Sequence, residues 1–459
     1  MTNARQPRQP LAVDVLVVGA GCAGVAAAVG AGEEGAATLL VDAAGCVGDT
    51  LAGHLLEHGG GFYTIDGQQV VAGFAQRLVG QMRQTGASPG HAHDDAGDTA
   101  TRAPINPTAL MLTEARCLHD AGVGLWLHAP LVAVKRHRNR IVYCAFSTPS
   151  GVRWVAPRMV IDTSGDAVAA HLALAGFQPD TATERQPASL QFTLSGVDFA
   201  ALMHYVRGHA EEFRPGGHFP AAPEDHVDLW GFASLLRQGY QEGSLSLARN
   251  EMHIAGWAKR GELGVNVTRY DGQEPDGADH AGQAWLTLCR QIVEYDHWFR
   301  RCVPGCARAY VSAIGGQVDG RVSRRVLGRY TVTQHDVLHG VRFHDSIACG
   351  GFPIKSPFAD QPDLAPADRP GQGFEVAYRS LLPVKPDNLL VAGRCLSSDH
   401  AANRALRVTA TCLATGEAAG VAAALAVRQG CPPALIAVDQ LRLRLRQRGA
   451  IVSLDGDAS

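Results

Sequence analysis

The sequence predicts an α/β fold in which one βαβ unit draws on both ends of the chain, and three stretches carry that expectation. Residues 13–42 read VDVLVVGAGCAGVAAAVGAGEEGAATLLVD: an apolar strand, a glycine turn, an alanine-rich helix and a second apolar strand ending in an acid. Near the other end, Asn388 to Ala392 (NLLVA) has the pattern of a short buried strand that stops at Gly393, and Ala410 to Val427 forms an alanine-rich helix with Thr411, Gly416 and Gly420. Between them, Met159 to Ala167 (MVIDTSGDA) is an apolar strand that stops at a Thr-Ser-Gly-Asp turn.

Each position of the first stretch answers a physical demand. Gly19 permits a tight turn, Gly21 lets the backbone approach a pyrophosphate, and Gly24 lets the helix press on the strand. Cys22 and Ala23 open that helix, whose unpaired N–H groups and positive dipole end favour an anion. Asp42, 23 residues after Gly19, can accept hydrogen bonds from a ribose, with Ala43 beside it. Strand, turn, helix and acid at this spacing are those of a Rossmann-like dinucleotide site; a glycine-rich turn that only packs is the alternative. The Ser164-Gly165-Asp166 turn is a second place where backbone can approach a ligand and a carboxylate can bind a hydroxyl. Before it, Ile141 to Phe146 and Val152 to Val155 form a hairpin around Pro149, Ser150 and Gly151, and Val132 in the preceding strand falls where such a site is flanked.

Composition narrows the class. With 46% hydrophobic residues the chain can bury a large core in two or three units, and a net charge of −3 gives no basic field for nucleic acid. The polar first ten residues run into a core strand rather than a signal peptide, and no charge-free segment reaches membrane-spanning length. Eleven cysteines without a CxxC pair read as reduced thiols of a cytoplasmic protein. A small-molecule substrate is the expected partner, with no nucleic acid and no membrane; a homo-oligomer stays open.

The glycine turn, the Asp162-to-Asp166 turn and the terminal AGRCLSSDHAANRALRVTATCLATGEAAG together resemble the FAD-dependent oxidoreductase family, FAD_oxidored type, of the glutathione-reductase-like flavoproteins. Arg321 to Gly351 is similar to that family's arginine-rich and GG pattern, so the resemblance covers about two thirds of the chain. It implies FAD as cofactor, a Rossmann-like FAD-binding domain over residues 1–175 and 315–459, and an inserted mixed α+β substrate or cap domain over 176–314. It also implies cofactor contacts at Gly48, Asp49, Thr50, Gly393, Arg394 and Arg407. Members often carry a glycine pair before Thr, whereas this chain reads Cys46-Val47-Gly48-Asp49-Thr50, which places a carboxylate near the phosphates or the ring. Asp49 is either there or capping the next helix.

Flavin chemistry asks for a base, because hydride leaves a substrate carbon for flavin N5 while a proton leaves the adjacent oxygen or nitrogen. The resemblance gives His400 a place near the flavin, as that base or as a hydrogen-bonding neighbour. Arg407, Arg324 and Arg325 supply positive charge to a reduced flavin or an acidic substrate, or else pair internally. Cys46 is a covalent attachment point or an inert thiol. His54 and His58, with no third ligand in the local sequence, do not define a metal site.

An aromatic hydroxylase of the flavin monooxygenase type would carry Gly-Asp late in the chain, where this one has Gly393-Arg394. A disulfide reductase would need a CxxC and a second GxGxxG. The expected function is an FAD-dependent oxidase or dehydrogenase that oxidises or desaturates a small organic molecule and passes electrons to oxygen or another acceptor. The alternatives are a flavin monooxygenase and a flavin- or nucleotide-binding protein without turnover.

Overall fold

The computed structural model describes residues 9–94, 97–179, 187–214, 226–271, 278–318, 324–355 and 372–455. The chain opens with the expected unit, β1 (Leu11–Val18), α1 (Cys22–Glu33) and β2 (Thr38–Val41), and continues through β3 (His58–Gly59), β4 (Thr101–Pro104), α2 (Pro107–Asp120) and β5 (Gly124–Trp126). Three longer strands follow, β6 (Leu131–His137), β7 (Arg140–Thr148) and β8 (Gly151–Asp162). The hairpin forms where the sequence places it, but its second arm and the Met159 strand are one continuous β8. A second group comprises β9 (Phe192–Ser195), α3 (Phe199–Gly208), β10 (Val227–Gly231), β11 (Met252–Trp257), β12 (Glu262–Asn266), α4 (Ala278–Cys302) and β13 (Tyr310–Ile314). The chain then returns to the first group with β14 (Leu389–Val391), α5 (His400–Leu406) and α6 (Thr409–Gln429).

The first sheet has the order β5-β2-β1-β8-β7-β6, with β14 also beside β8. Its centre is parallel and its β7–β8 and β6–β7 pairs are antiparallel, which makes this a mixed α/β fold around a largely parallel core. Val18 stands opposite both Val41 and Asp162, and Asp162 opposite Val391. Four parallel strands therefore end side by side, and a ligand crevice forms outside the carboxyl ends of such strands.

The small residues of α1 and α6 explain how the chain ends meet. A Cβ added at Gly416 would collide with the Ala23 carbonyl oxygen, and one at Gly420 with that of Ala27. The two helix backbones thus lie closer than any larger residue permits. Helix α6 is long and apolar enough to cross a membrane, yet 94% of its apolar window is buried inside the protein. Its one interior acid, Glu417, is buried and accepts hydrogen bonds from the Phe74 N–H and Arg448 Nε, both at 2.9 Å. Such pairing is what lets a charge sit in an apolar helix.

Two hydrophobic cores result. One joins residues from Val15 to Ala175 with residues from Val326 to Leu454, and the other lies between Leu190 and Ala309. The second core packs under an antiparallel sheet of order β10-β11-β12-β9-β13. Val227 and Leu229, Met252 and Ile254, Leu263 and Val265, and Phe192 and Leu194 all point into it. Because strand side chains alternate, the intervening residues, among them Asp228 and His253, form the sheet's other face.

Candidate active site

A cleft of about 790 Å³ opens at the four strand ends. Gly19 turns the chain out of β1 with φ of +105°, and its backbone lies so close to Thr163 that an added Cβ would stand 2.6 Å from the Thr163 carbonyl. Thr163 Oγ1 donates to the carbonyls of Val18 and Gly19, at 2.9 and 2.8 Å, and locks the two turns together. Gly24 lies behind them, where an added Cβ would collide with the Gly19 carbonyl oxygen.

Asp42 caps the end of β2, accepting from the Ala44 N–H at 2.6 Å and from the Ala20 N–H, which ties the acid to the glycine turn. Asp162 is buried, and burial raises its carboxyl. It accepts from Ser164 N, Ser164 Oγ and Ala170 N at 3.0, 2.7 and 2.8 Å. That carboxylate is spent on shaping the turn, which leaves Asp166 as the turn's cleft-lining acid. Across the cleft, Arg394 lies against Gly165, with its NH2 3.8 Å from Asp166 Oδ2, and Asn403 Nδ2 holds the Arg394 carbonyl at 2.9 Å.

Of the residues expected at the site, Gly19, Gly21, Cys22, Ala23, Asp42 and Ala43 line this cleft, and so do Ser164, Gly165, Asp166, Gly393, Arg394 and Arg407. The structure adds Thr409 and Cys412 at the start of α6, Leu131 before β6 proceeds, and Gly316 and Gln317 just beyond β13. The α6 contribution was visible in sequence as a strand, loop and small-residue helix repeated at the C-terminal end. Gly316 and Gln317 carried no local signal, because they reach the cleft only through the second sheet.

Other expectations are corrected. Val132 does not line the cleft; its side chain is 47% exposed, and Leu131 takes the place one residue earlier. Gly48 packs beneath the cleft against the buried Glu114, and its N–H donates to the Ala20 carbonyl. Asp49 and Thr50 start a π-helical turn, Asp49–Gly53, and their side chains lie outside the described residues, as does Arg321. Arg325 donates to the Ser398 carbonyl at 3.0 Å and Arg324 to that of Asp166 at 3.3 Å, so both bind backbone. Cys46 lines the cleft on the same loop as Asp42.

His400, the residue expected near the flavin, faces a neighbour on its own helix. It begins α5, does not line the cleft, and its Nε2 lies 2.9 Å from Arg404 NH2. A guanidinium only donates, so in this arrangement the Nε2 lone pair is turned to Arg404.

Comparison with known proteins decides the cofactor. The family model described as FAD dependent oxidoreductase matches residues 14–445. This chain belongs to that family. FAD is therefore its cofactor and the protein is an FAD-dependent oxidoreductase. The cleft fits the group: backbone without side chains at the glycine turn for the diphosphate, a carboxylate at Asp42 for the ribose, and a helix N-terminus with Arg407 at its other wall. No curated protein matches the chain in sequence. Among solved structures, a geranylgeranyl bacteriochlorophyll reductase-like protein from Thermoplasma acidophilum is 12% identical with a TM-score of 0.45, over 95% of this oxidoreductase and 83% of that chain. A p-nitrophenol 4-monooxygenase from Pseudomonas putida is 11% identical with a TM-score of 0.42, over 95% and 85%. A flavin-dependent brominase is 12% identical with a TM-score of 0.46, over 95% and 83%.

The oxidoreductase also holds a polar cluster that the sequence did not reveal. His58 Nδ1 lies 3.2 Å from Asp228 Oδ2, His253 Nε2 2.8 Å from Asp228 Oδ1, and Arg102 Nε 3.1 Å from Asp228 Oδ2. Burial alone would raise the Asp228 carboxyl, but attraction from His58, His253 and Arg102 outweighs it and holds the group well below the usual carboxylate range. Around it, the buried Glu57 carboxyl is pushed well up, chiefly by burial, and His226 is pushed down to about 3 by burial.

Proposed function

We propose that this enzyme oxidises or desaturates a small organic molecule, with hydride passing from a substrate carbon to the N5 of bound FAD. The observation that carries this reading is the composition of the cleft, which runs from the acid of β2 to the first turn of α6 and takes part of its wall from Gly316 and Gln317 of the second sheet's chain segment. In this reading the FAD-binding unit is of the Rossmann-like, glutathione-reductase type, and residues 176–314 form the cap that faces the substrate.

The protein's own residues divide the work. The glycine turn and the α1 N-terminus hold the diphosphate, and Asp42 fixes the ribose. The N-terminus of the 21-residue α6, together with Arg407, provides positive potential where negative charge grows as a hydride is accepted. The second sheet shields that end from water, which strengthens the electrostatic terms within. The protein works in the cytoplasm, a setting consistent with cysteines that form no disulfide among the described residues.

An anaerobic screen of small alcohols, amines and saturated acids tests the reading through bleaching of the flavin absorbance. We expect one class to bleach it and oxygen or another acceptor to restore it. A flavin bleached only by a pyridine nucleotide, with oxygen incorporated into a product, would replace this reading with the monooxygenase one.

A further inference from the structure

Resting on that oxidation reading, we infer that His58 is the proton acceptor of the reaction and that Asp228 is the residue that positions it. The sheet of the second core presents one apolar and one polar face. The polar face meets β3 and β4 of the FAD-binding unit, and the meeting point is buried: Asp228 is 2% exposed, His253 2% and Arg102 4%, whereas the His58 side chain retains 25%. Of the three residues that could together hold a metal ion, His58 is the one in contact with solvent.

The donors around Asp228 explain the geometry without a cation. Its two oxygens are divided, Oδ1 to His253 and Oδ2 to His58 and Arg102. An ionised carboxylate can only accept, so His253 Nε2 donates its proton to Oδ1 at 2.8 Å, whereas His58 Nδ1, 3.2 Å from Oδ2, makes no aligned hydrogen bond, and it is the negative charge beside it that favours the proton on that nitrogen. A guanidinium 3.1 Å from the shared oxygen also repels a metal ion. With Nδ1 protonated, His58 Nε2 holds a lone pair, and the ring is neutral because burial lowers it to about 4 against the attraction of Asp228. A carboxylate's charge beside one ring nitrogen biases a histidine toward the tautomer that leaves the other nitrogen free to accept a proton.

Like His400, His58 does not itself line the cleft, but its cluster lies beside it. His58 precedes Gly59, whose added Cβ would stand 3.7 Å from Thr409 Cγ2, and Thr409 lines the cleft. Residues 59–61 are all glycine and put no side chain between the two. Nearby, Glu57 Oε2, both ring nitrogens of His226 and the Trp257 Nε1 have no hydrogen-bond partner among the described residues, although Glu57 and His226 are only 4% and 6% exposed. Unpaired buried polar atoms of this kind are costly unless they serve a ligand. With Glu57 protonated and His226 neutral, they present uncharged donors and acceptors, which suits a neutral polar substrate bearing an O–H or N–H beside the carbon to be oxidised. In the step, the C–H electron pair leaves with its hydrogen to FAD, the O–H or N–H proton goes to His58 Nε2, and the C=O or C=N bond forms. The substrate loses two electrons and the flavin gains them.

The test needs no known substrate for its first part. Holoenzyme labelled with ¹⁵N-histidine gives the tautomer of His58, whose signal is the one lost in His58→Gln, or in His58→Asn should the first not fold. The groups facing His58 are Asp228, His253 and His226 from the cap, and Arg102 and Asp94 from its own unit. The expected result is a neutral ring with the proton on Nδ1 at neutral pH, charging only near pH 4, and a shift of that proton to Nε2 in Asp228→Asn. A charged ring at neutral pH, a wild-type proton on Nε2, or one bound divalent metal per chain overturns the inference. In the second part, any donor that bleaches the wild-type flavin bleaches His58→Gln about a hundredfold more slowly at equal FAD content. Equal rates overturn the role of His58 while the oxidation reading stands; a wild-type flavin bleached by no organic donor overturns that reading, and the proton-acceptor role with it.

Discussion

The glycine cradle and the polar junction use opposite means to build a site. The cradle is made of backbone: Gly19, Gly24, Gly416 and Gly420 contribute by having no side chain, and the contacts they permit are between main chains. The junction is made of side chains from β3, β4, β10 and β11, which only the completed fold brings together. In the function proposed above, the first holds the diphosphate of FAD and the second handles the substrate's proton. A backbone site tolerates no added atom, whereas a side-chain site responds in graded fashion to changes of charge.

That contrast breaks most readily at the cradle. Gly24→Val places a side chain against the Gly19 carbonyl, and the purified protein is expected to hold no flavin or to fail to fold, which flavin absorbance per mole of chain measures directly. At the junction, Asp228→Ala removes the buried carboxylate that faces His58, His253 and Arg102 together and is expected to cost about 3–5 kcal/mol in denaturant unfolding. The folded fraction should nevertheless keep its FAD. An Asp228→Ala protein that folds but holds no FAD would merge the two regions into one.

A third expectation concerns Glu114, which lies against Gly48 with neither carboxyl oxygen partnered among the described residues and is raised by burial to about 8. Its folded form keeps a proton that the unfolded chain releases above about pH 4.5. Stability therefore falls as pH rises from there to about 8, by about 1.4 kcal/mol per pH unit from this group. Glu114→Gln, which cannot ionise, removes that slope and is more stable at pH 7; an unchanged slope of unfolding free energy against pH would contradict the assignment. The smallest effect belongs to Val132→Ala. Its exposed side chain lies outside the cleft, so stability should change by no more than about 0.5 kcal/mol and FAD affinity not at all.

The legibility of the two regions follows from the same contrast. The N-terminal half of the cradle falls within 30 consecutive residues, 13–42, and each of its requirements is a statement about a backbone, which a glycine announces by itself. The small residues of α6 announced its close packing in the same way. His58 was visible only beside His54, a local spacing that pointed nowhere, because its partner Asp228 lies 170 residues further on. A signal did exist: HVDLW over 226–230 and MHIAGW over 252–257 alternate polar or small residues with apolar ones, and buried polar residues on one face of a strand mark a face that meets something. What it meets depends on the register of two sheets, which no local pattern specifies. His400 shows the same limit, since a motif position fixes a residue's place in the chain but not which neighbour faces its ring nitrogens.

The central claim is that the two chain ends together form a cleft that holds FAD without a covalent bond, and its most direct measurement is the visible spectrum of the purified protein before and after acid precipitation. Flavin bands that pass into the supernatant, and that are missing from Gly24→Val, are the predicted result. Colour that stays in the pellet would contradict non-covalent binding and point to Cys46 or a histidine, and a colourless protein that added FAD cannot restore would contradict the account as a whole.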